Sequence, residues 1–105
     1  MPDASSKPLS NAERDLVEAY RQGLGPRAAA RLSDDEVRRG ALTVIARVDG
    51  EIARLQHTGG LKSVNRSYRD YRLQAAARGE RVIPYAVWMI RYKANLVREI
   101  AANLR

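Results

Sequence analysis

Apolar residues recur along most of this 105-residue chain at three- and four-residue steps, and no segment alternates apolar and polar as a half-buried strand does. The pattern predicts an all-α fold: a small helical bundle of three main helices plus a short N-terminal helix. The expected elements lie at about 11–23, 34–57, 63–78 and 84–104.

Ala12, Leu16, Val17, Tyr20 and Leu24 mark the stripe of the first helix. Ser10, followed three residues later by Glu13, fits a capping box at its start, and Gly23, Gly25 and Pro26 supply its stop. Pro26 also suits the opening of a short extra helix over PRAAARL. A second capping box, Ser33 with Glu36, opens the long helix, and Asp34 and Asp35 complement the positive end of its dipole. Its stripe runs Val37, Ala41, Val44, Ile45, Val48, Ile52 and Leu55 until Thr58-Gly59-Gly60 ends it. A rod of about 24 residues is about 36 Å long, whereas a domain of this size has a radius of gyration of about 13 Å. With heptad-like spacing along that rod, a homodimer through residues 34–57 is expected.

The next helix carries Val64, Tyr68, Tyr71 and Ala75 on one face and stops at Gly79, with Leu61 placed as a staple before its cap. GERVIP reads as an extended connection, because the residue before Pro84 is pushed out of helical geometry. The last helix aligns Tyr85, Met89, Tyr92, Leu96, Ile100 and Leu104, flanked by Ala86, Ile90 and Val97. Residues 1–9 are polar and aperiodic and read as a disordered tail, which leaves 10–105 as a single helical domain.

Composition narrows the chemistry. The chain has no Phe, one Trp and five Tyr, so its core must come from Leu, Ile, Val, Ala and the tyrosines. It has no Cys, which excludes disulfides, thiolate metal sites and thiol catalysis and fits a reducing, cytoplasmic setting. No secretory leader and no apolar run of about 18 residues is present, so no membrane association is expected.

Charge is distributed unequally: residues 1–56 hold nine Lys/Arg against nine Asp/Glu, while residues 57–105 hold ten against three and so carry the whole net charge of +7. A basic half on a neutral half points to an anionic partner. Lys62, Arg66, Arg69 and Arg72 form one ridge on the third main segment, and Arg91, Arg98 and Arg105 form another, spaced by sevens, on the last. If these two helices pack antiparallel across GERVIP, the ridges lie side by side and gain Arg78 and Arg81 at the corner. Guanidinium groups bind phosphate oxygens bidentately and release counterions, so DNA or RNA backbone is the expected ligand of this small, regulatory kind of protein. The competing explanation is a solvated face kept basic by composition.

Other motifs are weaker. LVEAYRQGLGPRAAARLSDDEV has the rhythm of a helix-turn-helix, but its reading helix would open on Asp34, Asp35 and Glu36, the wrong sign for phosphates, with Arg38 and Arg39 only partly compensating. Thr58-Gly59-Gly60-Leu61-Lys62-Ser63 resembles an anion turn but lacks the spacing of a P-loop. His57 is the only histidine, and Asp49 and Glu51 fall on helix exteriors, so neither an enzyme, a metal site nor a cofactor is expected. Lys93 interrupts the apolar face of the last helix and Trp88 sits at its rim, and both mark a candidate partner-binding surface. The alternative function is therefore a non-enzymatic regulator or adaptor, a helical dimer that sequesters or bridges an acidic protein.

Overall fold

The computed structural model describes residues 8–104, so most of the expected tail and Arg105 lie outside the described residues. Five helices and no strand occur among them: α1 (Asn11–Leu24), α2 (Pro26–Ala30), α3 (Asp34–Thr58), α4 (Leu61–Ala77) and α5 (Tyr85–Asn103). The small all-α bundle predicted by the pattern is what forms.

Both capping boxes are present. The Glu13 amide donates to Ser10 Oγ and the Ser10 amide to Glu13 Oε1, each at 3.1 Å, and Ser33 and Glu36 repeat the exchange at the head of α3. α1, α3 and α5 enclose one core, built from Leu16, Ala19, Tyr20 and Leu24, from Val37, Ala41, Val44, Ile45, Val48 and Ile52, and from Ala94, Val97 and Ala101. The seam of α3 that suggested a homodimer is thus consumed inside the chain, because α1 and α5 cover the same stripe that a second copy would need.

α1 and α5 approach most closely, through small residues. A Cβ added at Gly23 would lie 2.8 Å from the Ala101 Cβ and collide with the Arg98 carbonyl, and Gly40 of α3 similarly makes room for the Tyr20 ring. This contact rotates α5 away from the orientation its sequence pattern suggests. Ala94, Val97 and Ala101 are buried, whereas the large stripe of Met89, Tyr92, Leu96 and Ile100 is only half-buried and its ends, Tyr85 and Leu104, are exposed. Small side chains win the central position because they allow the backbones to close.

α4 begins at Leu61 rather than Ser63, since Gly60 is itself helical and Ser63 Oγ donates back to the Gly60 carbonyl instead of capping. Leu61 is therefore in the helix and packs on the core instead of stapling its entry. α5 begins one residue later than expected, because Pro84 has an extended ψ of 153° and serves as the cap. The molecule measures 47 × 31 × 27 Å with a radius of gyration of 15.6 Å, more than the roughly 13 Å of a spherical domain. Its elongation follows from the long α3 and from α4, which stands off the three-helix core.

Candidate nucleic-acid interface

Two glycines position α4. Gly59 ends α3 in the left-handed region at φ 76°, and Gly79 does the same after α4 at φ 71°. At the second turn the Gly79 amide donates to the Ala76 carbonyl and the Glu80 amide to the Ala75 carbonyl, a Schellman motif that reverses the chain. Residues 80–84 then return along α4 as an extended strap.

Aromatic side chains tie this arm to the bundle. Tyr68 lies 5.1 Å from Tyr85 edge-on and 5.3 Å from Trp88, which stacks on Tyr92 at 5.4 Å. Such pairs contribute beyond the area they bury. Polar atoms fix the register: Tyr68 Oη donates to the Ile83 carbonyl at 2.8 Å, the Ile83 amide donates to Tyr71 Oη at 3.1 Å, and Tyr85 Oη donates to Asn65 Oδ1 at 2.9 Å. Val64 and Ala75 are the only fully buried side chains of α4.

The rest of the arm is wet and basic. Lys62, Arg66, Arg69, Arg72, Arg78 and Arg81 are all exposed. Among the described residues none of the six has a carboxylate within ion-pair distance, although Asp70 and Glu80 belong to the same arm. Arg72 instead lies over the Tyr68 ring at 5.9 Å, a cation–π contact that steadies its stem and leaves its outer N–H groups available. Elsewhere four cations have a carboxylate partner, Arg21 with Glu18 and Asp34, Arg39 with Asp35, Arg54 with Glu51 and Lys93 with Asp49, while the exposed Arg14, Arg27, Arg31, Arg47 and Arg91 are in no ion pair among the described residues.

The α5 residues are placed differently. Arg98 is half-buried at the α1 seam, where Nε donates to Gln22 Oε1 and Nη1 to Asn95 Oδ1, each at 2.8 Å. Arg91 is exposed beside it, in a cleft that also contains Asp15 and Glu18. Arg69 and Arg72 line a separate groove with Leu73, Ala76 and Val82. Lys93 Nζ reaches Asp49 Oδ1 of α3 at 2.7 Å, and the side chain that interrupted the apolar face is thus a link between two core helices. Trp88 is half-buried inside the aromatic cluster, not offered at a rim.

Among the weaker motifs, α2 has only five residues, and of the acids that follow it Glu36 completes the capping box of α3 while Asp34 and Asp35 stand in its first turn and pair with Arg21 and Arg39. The Ser33 amide and then the Ser33 hydroxyl hold the Glu36 carboxyl below its usual range, and a side-chain hydrogen bond from Arg54 does the same for Glu51. His57 is exposed on the last turn of α3.

Two features were not singled out from sequence. One is the tyrosine latch on Ile83, which pairs residues 12 and 15 positions apart and has no local signature. The other is the apolar floor between the arginines, for which a signal existed: Leu73 stands four residues after Arg69, on the basic face. The chain was compared with protein-family models, curated proteins and solved structures, and none of them matches it.

Proposed function

We propose that this protein binds nucleic acid through α4 and its strap, acting by association rather than by catalysis. Lys62, Arg66, Arg69 and Arg72 are assigned to phosphates along the helix, Arg78 and Arg81 to phosphates at its outer end, and Arg91 to a flanking position. Arg98 is withdrawn from direct contact and positions α5 against α1. The observation that carries this reading is the density of unpaired positive charge: residues 61–84 hold six exposed cations against two acids, Asp70 and Glu80, and none of the six is in an ion pair among the described residues. An unpaired row of exposed guanidinium groups repels itself and is relieved by a polyanion, with release of condensed counterions.

Binding should therefore be strongly salt-dependent. For the roughly six phosphate contacts of the arm, affinity for a labelled oligonucleotide falls about 300- to 2,000-fold between about 50 mM and 200 mM salt. The variant Arg66→Gln/Arg69→Gln/Arg72→Gln should bind weakly at low salt and lower the slope of log affinity against log salt by about two to three. Affinity indifferent to salt, or a triple variant equal to the parent, overturns the reading. So does a preparation free of nucleic acid that retains a stoichiometric acidic protein, the outcome expected of the adaptor alternative.

A further inference from the structure

The groove beside the arginines is the feature that a simple phosphate clamp does not use. Leu73, Ala76 and Val82 form its floor, Arg69 and Arg72 its edge, and it encloses about 280 Å³. Leu73 is 65% exposed and Val82 36%, so an apolar surface is held in water between two unpaired cations. We infer that this groove receives an unpaired base, and that the preferred ligand is single-stranded nucleic acid; this rests on the nucleic-acid reading above and makes it more specific.

Charge complementarity identifies the occupant. A ligand that satisfies this site must place anionic groups on Arg69 and Arg72 and a flat apolar group against Leu73 and Val82. A single strand offers both, since each unstacked base presents a π-face to apolar walls and guanidinium planes while its backbone follows the basic track. A duplex offers only the first from outside, because its bases are stacked on each other.

Entry into a duplex groove is opposed by width. An α-helix with its side chains is about 10–12 Å across and nearly fills the roughly 12 Å major groove of DNA. Here Val82 of the strap lines the same groove as Arg69 and Arg72, so a second stretch of backbone runs beside the helix. Helix and strap together are too broad to insert, whereas a single strand can lie along the valley between them.

The test uses the full chain with a fluorescein-labelled 12-nucleotide single-stranded RNA, the same sequence as a duplex, and a single strand of equal phosphate number lacking its bases. The single strand should bind about tenfold or more tighter than the duplex or the base-stripped strand. Leu73→Ser/Val82→Ser should lower affinity for the single strand to that of the base-stripped strand, while leaving duplex affinity and the salt slope unchanged. Leu73→Tyr, which supplies a stacking face at the same exposed position, should raise single-strand affinity severalfold; helix content by circular dichroism confirms folding of each variant. Equal affinity for duplex and single strand, or indifference to the groove substitutions, overturns the inference while salt-dependent binding through the arginines stands. Absence of binding to all three probes overturns both.

Discussion

The bundle of α1, α3 and α5 and the arm made by α4 and its strap are built on opposite terms. In the bundle, Val97, Ala41 and Ala101 are completely buried and four of the surface cations, Arg21, Arg39, Arg54 and Lys93, meet carboxylates. In the arm, a 17-residue helix buries only Val64 and Ala75, and none of its basic residues is in an ion pair among the described residues. Stability is therefore concentrated in one region, and the local excess of positive charge, six cations against two acids over residues 61–84, in the other. The division lets the arm tolerate substitution at exposed positions, because little of the fold depends on them.

Several measurements can break this division. The largest effect is expected at the core: Leu16→Ala should cost about 2–5 kcal/mol in denaturant unfolding, by removing buried methyl groups and leaving a cavity. A loss under about 1 kcal/mol there would mean the bundle is not the stable part. Gly23→Ala comes next, at about 1–3 kcal/mol, because α1 and α5 must separate to admit the new methyl group. At the junction of the two regions, Tyr68→Phe removes one hydrogen bond to Ile83 and should cost about 1 kcal/mol. Its sharper signature is faster amide exchange confined to α4 and the strap, and exchange that quickened uniformly would show arm and bundle to be one cooperative unit.

The cap of α3 gives a pH effect with a definite sign. Because folding lowers the Glu36 pKa, the associated stability is present above the ordinary carboxylate range and is lost as pH falls through that range toward the lowered value. Glu36→Gln should therefore flatten the fall in Tm between about pH 6 and pH 3, and an unchanged fall would remove the capping box from the account. The smallest stability change belongs to Arg66→Gln/Arg69→Gln/Arg72→Gln: within about 0.5 kcal/mol for each exposed position, even though nucleic-acid affinity is expected to drop sharply. Large destabilisation by that variant would show these arginines to be structural.

Class and most boundaries of the four expected helices were legible because their causes are local, while the fifth, α2, was suggested only by Pro26. Ser10, Glu13, Ser33 and Glu36 announce the starts of α1 and α3 within four residues each, and Gly59 and Gly79 supply the left-handed turns that end α3 and α4. The three-to-four spacing of Val37 through Ile52 identified the buried face of α3 without reference to any neighbour. The face that α5 buries was not legible in the same way. Its large side chains outvote Ala94 and Ala101 in any periodicity, and only the collision geometry at Gly23 explains why the small ones lie inside.

The candidate site divides along the same line. Chain order alone was enough to establish that positive charge gathers after residue 56 and that Lys62, Arg66, Arg69 and Arg72 share a helical ridge, since both follow from composition and a 3.6-residue period. Which arginines remain uncommitted was decided by tertiary structure. Arg98 is bound by Gln22 from a helix 76 residues earlier, Lys93 meets Asp49 from 44 residues away, and the strap brings Val82 beside Leu73. Side-chain pairing across such separations depends on how helices rotate and close on one another, and that is set by packing the whole core at once.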